Sequence, residues 1–131
     1  MSTLDKYMEE MVQDTGVDNF NILDIQMKLP AIKHKWVGRL MRHKVEVKDL
    51  RRTKEDLIIT LASKLMSESP VKVAANLAEK KVSKVDSVLQ IDQKIKDIYI
   101  LIEYLEKVEK IFSSMTFDIK NVTEIMKLET T

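Results

Sequence analysis

The sequence has no cysteine, only two glycines and two prolines, and few aromatic residues among its 131 positions. The absence of cysteine excludes disulfides and thiolate metal sites, and it fits a reducing compartment. Because glycine and proline are so rare, long segments have no breaker, which favours helices over a many-stranded sheet. Aromatic residues make up 5% of the chain, so we expect an aliphatic core.

The sequence also lacks the patterns of membrane and secreted proteins. No apolar run approaches the roughly 20 residues that a membrane-spanning helix needs. The first residues do not have the basic-then-apolar order of a signal peptide. We therefore expect a cytoplasmic protein with no membrane partner. Apolar residues at 44% and charged residues at 33% suit a folded helical chain of one domain's length.

Charge is distributed unevenly, although the formal net charge is only +1. Residues 1–27 have a net charge of −5, residues 28–54 a net charge of +8, and the remainder a net charge of −2. The near-neutral total therefore conceals a strongly basic central segment.

Apolar residues recur at helical spacing in four segments. The predicted helices span about residues 3–14, 30–67, 74–115 and 117–128, with Pro30 in the first turn of the second. This pattern predicts an all-α fold, an elongated helical hairpin with two long helices and short flanking helices. We expect one continuous structural unit.

The two halves of the chain have different predicted roles. Residues 1–69 are predicted to hold an acidic helix and a basic helix that binds a polyanion, and residues 70–131 are predicted to form a helical oligomerisation region. The third helix has a heptad-like seam that predicts a coiled-coil homo-oligomer. Its predicted oligomerisation residues are Ile91, Ile95, Ile98, Ile102, Leu105 and Phe112. A monomeric helical bundle is the alternative.

The second helix has basic residues on both flanks of its apolar stripe, and Trp36 lies on that stripe as an expected core residue. The flanking cations are Lys35, Arg39, Arg42, Lys44, Lys48, Arg51 and Arg52. Unpaired cations on a rigid helix attract a polyanion, so we expect salt-sensitive binding that does not read sequence. The alternatives are a solvated helix face, or docking of these cations on the acidic N-terminal segment of a neighbouring subunit.

No catalytic or metal-binding constellation is recognisable. His34 and His43 lie nine residues apart with no carboxylate spacing that completes a metal site. There is no glycine-rich phosphate loop, and no serine has base and acid partners in a recognisable pattern. We expect no enzymatic activity, no metal and no cofactor.

Three segments in order along the chain resemble the UvsY family of phage recombination mediators. They are the lysine-rich, proline-containing helix entry at 28–36, the segment 78–90 with its Lys-Val-Asp and Leu-Gln sequences, and the ending 117–128. The resemblance implies binding of single-stranded DNA in the host cytoplasm of a phage-infected cell. It also implies a ring-like homo-oligomer, a hexamer or heptamer, that contacts the strand-exchange recombinase and the single-strand-binding protein. Such a protein helps load the recombinase onto DNA.

One part of the chain departs from the family pattern. Family members usually have paired basic residues followed by Tyr-Tyr-Gly near the end of the first long helix. Here residues 58–66 include no tyrosine, and Lys64 is their only basic residue. If the chain binds DNA, we expect the contacts at the earlier cations, or at Lys64 together with Lys72.

Overall fold

The computed structural model describes residues 1–18 and 20–130, and within those ranges it contains four helices and no strand. The helices are α1 (Thr3–Asp14), α2 (Ile22–Glu68), α3 (Ala75–Val82) and α4 (Asp86–Thr130). The predicted all-α fold is therefore confirmed. The chain divides into two compact units, unit 1 (Met1–Arg42 with Leu101–Thr131) and unit 2 (His43–Ile100). No helix in the described ranges is both long and apolar enough to cross a bilayer.

Helix α1 begins and ends where its sequence predicts. Ser2 caps its start, because the Ser2 hydroxyl accepts a 3.1 Å hydrogen bond from the Asp5 backbone N–H. At its end, the Thr15 backbone N–H and hydroxyl both donate to the Met11 carbonyl. These contacts provide hydrogen-bond partners for backbone groups at the helix ends, which lack partners within the helix itself.

Helix α2 begins at Ile22, so the predicted start near residue 30 is wrong. Pro30 lies inside the helix, on an exposed face, and not in the first turn. An interior proline costs roughly 3 kcal/mol because it removes a hydrogen bond and crowds the preceding turn. Ile22, Ile25 and Leu29 are all buried and extend the apolar stripe upstream of the proline. Burial of each such side chain contributes about 1.5–3 kcal/mol, which offsets that cost.

The predicted third helix is divided in two, and the predicted last helix is not separate. A turn after Val82 ends α3, where the Ser83 hydroxyl donates to the Lys80 carbonyl, and α4 starts at Asp86. Serine and aspartate favour helix ends because their short side chains hydrogen-bond nearby backbone. Around residue 116 no breaker occurs and the burial pattern runs on from Phe112 to Ile119, so α4 continues to Thr130.

Unit 1 is organised around Trp36, which is 2% exposed, as expected for a core residue. Its ring meets Tyr7 of α1 edge-on at a centroid distance of 5.6 Å, and Phe112 of α4 lies 6.5 Å away. Aromatic pairs at these separations and tilts are favourable beyond the area they bury. Other buried residues of unit 1 are Met11, Ile22, Ile25, Leu29, Leu40, Ile102, Leu105, Val108 and Ile119.

Unit 2 has a core built partly from small side chains. Ala62 of α2 clusters with Ala78 and Val82 of α3, and Ala78 is completely buried. Partly buried residues surround them, namely Ile58, Leu61, Leu65 and Val73. An ion pair between Lys54 and Asp92, with 2.5 Å between Nζ and Oδ1, joins α2 to α4 within this unit.

Candidate nucleic-acid interface

Two of the predicted DNA-binding cations, Lys35 and Arg39, form ion pairs with carboxylates of α1. Lys35 Nζ lies 2.6 Å from Asp14 Oδ2 and 2.9 Å from Glu10 Oε2. Arg39 donates from both terminal nitrogens to Glu10, from Nη1 to Oε2 and from Nη2 to Oε1, the latter at 3.2 Å. We call these four residues the N-terminal ion-pair cluster. Its bidentate arginine contact is the strongest geometry for a carboxylate.

Aromatic rings support the same cluster. The Trp36 indole N–H donates to Asp14 Oδ2 at 2.8 Å, so Asp14 holds both a cation and the core tryptophan. The Arg39 guanidinium carbon lies 4.7 Å from the Trp36 ring centroid and 5.0 Å from that of Tyr7. A cation over an aromatic face adds a favourable electrostatic contact. Helix α1 is thus fixed to α2 by charge, hydrogen bonds and ring contacts together.

The cluster shifts the pKa values of two of its members. The hydrogen bond from Arg39 lowers the pKa of Glu10 below its ordinary 4.5, and Lys35 acts in the same direction against the effect of burial. Burial alone would lower the pKa of Lys35, but hydrogen bonds to Asp14 and Glu10 outweigh it and raise that pKa above 10.5. Both shifts favour the charged forms, so the cluster stabilises the fold while both groups are ionised.

These contacts bear on the alternative in which the cations dock on an acidic N-terminal segment. Lys35 and Arg39 do meet such a segment, but it belongs to the same chain and not to a neighbour. Their charges are already compensated, and their side chains are only 35% and 21% exposed. A polyanion would have to displace α1 to use them fully.

Unit 2 presents four cations that we call the cationic face, Lys44, Lys48, Arg51 and Arg52. They are all exposed and occupy positions i, i+4, i+7 and i+8 of α2, which lie on one side of a helix. The face extends about 12 Å along the helix at 1.5 Å per residue. Within the described part of the chain, Lys48 and Arg52 make no hydrogen bond or ion pair. Their charge is therefore available to an external anion.

Arg51 differs from its neighbours because it contacts Tyr99 of α4. Its guanidinium carbon lies 5.2 Å from the Tyr99 ring centroid, and its Nη2 donates to the phenolic oxygen. Both side chains remain exposed, Tyr99 at 39%. The sequence predictions assign no role to Tyr99. Its position beside the buried Ile98 does indicate a flanking, half-exposed ring, but a partner 48 residues away has no local signal.

The remaining predicted cations lie elsewhere on α2. Arg42 is exposed, and its guanidinium lies close to Gly38. A Cβ atom at position 38 would be 3.9 Å from both Nη1 and Nη2 of Arg42. Lys64 is exposed but points about 160° away from Lys48 around the helix. Lys72 is also exposed, in the segment before α3. None of these three extends the cationic face.

The six predicted oligomerisation residues are mostly covered within the chain itself. Ile91 is half-buried, and the other five are 2–8% exposed, namely Ile95, Ile98, Ile102, Leu105 and Phe112. Different apolar side chains of α4 are exposed to solvent. They include Leu89, Ile100, Ile111, Phe117, Val122, Ile125 and Leu128.

An open apolar cleft of about 520 Å³ lies in unit 1 beside several of those exposed residues. Ile111, Met115 and Val122 of α4 line it, with Val17 and Ile22 from the other side. Apolar surface of this kind commonly marks a contact with another protein. Within the described residues no group of His, Asp or Glu side chains is arranged to hold a metal ion.

Fold and site together define a class, all-α proteins in which one long helix exposes a cationic face. The family model described as "Recombination, repair and ssDNA binding protein UvsY" matches residues 10–131. The chain therefore belongs to the UvsY family, and the resemblance seen in its sequence is confirmed.

Solved structures agree on the fold. Crystal structures of the bacteriophage T4 recombination mediator protein UvsY match the chain in several lattice types. Lattice type IV gives a TM-score of 0.79 at 18% identity, covering 98% of this chain and 99% of that one. Lattice type II gives a TM-score of 0.77 at 17% identity, with complete coverage of both chains. Among curated proteins, none has a sequence that matches.

Proposed function

We propose that this protein is a recombination mediator that binds single-stranded DNA through the cationic face of unit 2. The observation that supports this most is the exposed, uncompensated pair Lys48 and Arg52 beside Arg51, in a chain of a family described as recombination, repair and ssDNA binding. The matching T4 protein is itself a recombination mediator. The role would be to help load a strand-exchange recombinase onto DNA coated by single-strand-binding protein.

Binding through such a face follows from phosphate electrostatics. Each cation that neutralises a phosphate of a single strand releases counterions, so affinity falls with salt at a log–log slope of about 0.7 per contact. Three contacts from Lys48, Arg51 and Arg52 give a slope of about 2 per subunit. Point charges on flexible side chains do not read bases, so binding should tolerate any sequence. Because this electrostatic binding is weak per contact and salt-sensitive, the strand can also be transferred to another protein.

Assembly into an oligomer would bring several copies of this weak site onto one DNA strand. Several subunits holding one strand gain from effective concentration without any new contact per subunit. We propose a homo-oligomer, a hexamer or heptamer as the family suggests, whose contacts use the exposed apolar residues of α4 and the cleft beside them. The buried seam from Ile95 to Phe112 would then serve each subunit's own core. The recombinase and the single-strand-binding protein remain proposed partners.

Native mass measurement tests the assembly. Phe117→Asp changes a side chain that is 65% exposed, so the subunit should still fold while the assembly shifts toward smaller species. Val12→Asp, on the exposed side of α1 at 74%, is the control and should leave the mass unchanged. An unaltered oligomer in the Phe117→Asp variant would exclude this part of α4 from the contact.

Fluorescence anisotropy with a labelled, unstructured oligonucleotide tests the DNA site. The variant Lys48→Gln, Arg51→Gln, Arg52→Gln should lose at least about 100-fold in affinity at low salt, because three phosphate contacts are removed from every subunit. A matched variant removes three exposed cations of unit 1 that do not line the cleft, Lys6→Gln, Lys28→Gln and Lys107→Gln. It has the same net charge and should bind nearly as the unmodified protein does.

Two outcomes would contradict the proposal in different ways. Equal losses in both variants would mean that net charge, and not the cationic face, sets the affinity. No binding by the unmodified protein at low salt would favour the alternative function, a structural or adaptor helical oligomer without nucleic acid.

A further inference from the structure

Tyr99 and Arg51 form a composite surface that the cationic face alone does not have. The two residues are 48 positions apart in sequence, yet the guanidinium lies over the ring at 5.2 Å and donates to its hydroxyl. Both groups are planar, and both are exposed to solvent. Lys48 and Arg52 lie three positions before and one position after Arg51 on the same helix.

This arrangement combines the groups that bind unpaired nucleotides, namely planar groups for the bases and cations for the phosphates. In single strands the bases are free to stack on aromatic rings or on guanidinium planes, while cations follow the phosphates. Such stacking tolerates any sequence, because every base has a π-face. The contact with Tyr99 also restrains Arg51, so less side-chain freedom is lost on binding than for an unrestrained arginine.

We propose that Tyr99 and Arg51 are a stacking site for one base of single-stranded nucleic acid, whose flanking phosphates contact Lys48 and Arg52. The site rests on the proposed function and adds a base contact to a surface otherwise limited to phosphates. It distinguishes single strands from duplexes, since bases inside a duplex are already stacked and paired.

A simpler role for Tyr99 is to hold Arg51 in place through the hydroxyl contact. The two roles depend on different parts of the side chain. Stacking requires the ring, whereas holding Arg51 by a hydrogen bond requires the hydroxyl. Tyr99→Phe keeps the ring and removes the hydroxyl, and Tyr99→Leu removes both, so the pair of variants separates the roles.

The test compares two oligonucleotides of equal length, oligothymidine and the same backbone with abasic sites throughout. Anisotropy titrations across a salt series give the affinity and the salt slope for each. The unmodified protein should prefer oligothymidine by about five- to 150-fold, the range expected for one stacked base. Tyr99→Leu should bind both equally, with the abasic affinity and the salt slope unchanged, and Tyr99→Phe should keep the preference.

Phe20→Leu is the matched control, since it removes a fully exposed aromatic ring from unit 1. It should retain the preference for oligothymidine. Circular dichroism and native mass, compared across the variants, would show that each remains folded and assembled.

Each other outcome overturns a defined part of the proposal. If the unmodified protein binds both oligonucleotides equally, the stacking site is wrong while phosphate binding stands. If Tyr99→Phe loses as much as Tyr99→Leu and the salt slope falls with it, Tyr99 only positions Arg51. If the unmodified protein binds neither oligonucleotide, the proposed function fails and the stacking site with it.

Discussion

Unit 1 and unit 2 each contain part of the basic segment of α2, and the two parts differ in how far carboxylates of the same unit neutralise their cations. In unit 1, Glu10 and Asp14 neutralise Lys35 and Arg39. In unit 2, Lys48 and Arg52 project from α2 without such partners. Unit 1 has ten basic and twelve acidic residues, a net charge of −2, whereas unit 2 has twelve and nine, a net charge of +3. A basic stretch of sequence therefore predicts a binding surface only where the fold leaves it uncompensated.

The same difference separates stability from binding. Compensated cations in partly buried geometry contribute to folding, and removing one partner leaves the other charge unsatisfied. Exposed, uncompensated cations contribute little to folding but raise the local attraction for an anion. Substitution of the paired residues in unit 1 should therefore lower stability, whereas substitution of the exposed cations in unit 2 should lower DNA affinity.

The largest effect is expected from Trp36→Ala, which removes the ring on which the N-terminal ion-pair cluster rests. Loss of a buried tryptophan should lower the free energy of unfolding by about 3–5 kcal/mol, measured by urea denaturation. Oligonucleotide affinity under conditions where the variant is folded should change little. A large loss of affinity in the folded variant would contradict the assignment of DNA binding to unit 2 alone.

A smaller loss of stability is expected from Glu10→Gln with Asp14→Asn. These changes keep the shape and the acceptor for the Trp36 N–H but remove the charges that face Lys35 and Arg39. The free energy of unfolding should fall by about 1–2 kcal/mol, a value reduced for partial exposure. Urea denaturation at neutral pH measures it, and an unchanged midpoint would show that the cluster contributes nothing to folding.

The pH dependence of stability tests whether the charges of the N-terminal ion-pair cluster stabilise the fold. Because the folded-state pKa of Glu10 is lowered from 4.5, its contribution is complete above about pH 4.5 and is lost as the pH falls through the lowered value. The raised pKa of Lys35 makes its contribution complete below 10.5 and lost as the pH rises through the raised value. The difference in melting temperature between the unmodified protein and Glu10→Gln should therefore be constant near neutrality and narrow in acid. A constant difference down to pH 2 would contradict this.

The smallest effect on stability is expected in unit 2. Lys48→Gln with Arg52→Gln should change the free energy of unfolding by less than about 0.5 kcal/mol, since both side chains are exposed and make no described contact. Urea denaturation gives the value. A loss comparable to that of the Glu10 and Asp14 variant would mean that these cations also have structural partners.

Local pattern was enough for much of the fold. Capping by Ser2 and apolar spacing place α1 correctly, and the stripe through Trp36 identifies its core position. Pro30 led to a late start for α2, because a proline in the first turn is more common than one inside a helix whose buried residues continue upstream. The predicted break near residue 116 was wrong, because no breaker occurs there and the burial pattern continues from Phe112 to Ile119.

The site was less predictable, because its decisive contacts are tertiary. Glu10 and Arg39 are 29 positions apart, and Arg51 and Tyr99 are 48 apart. Periodicity shows which face of a helix a residue occupies but not what packs against that face. The sequence therefore identified the basic segment, while the structure divides it into compensated and exposed cations.

The salt dependence of oligonucleotide binding by two paired variants tests this division most directly. Lys48→Gln with Arg52→Gln should reduce the log–log salt slope by about 1.4 per subunit, two contacts at about 0.7 each, and leave thermal stability unchanged. Lys35→Gln with Arg39→Gln should leave the slope unchanged and lower the melting temperature. The reverse pattern, with the slope reduced only by the change at Lys35 and Arg39, would contradict the assignment of DNA contacts to unit 2.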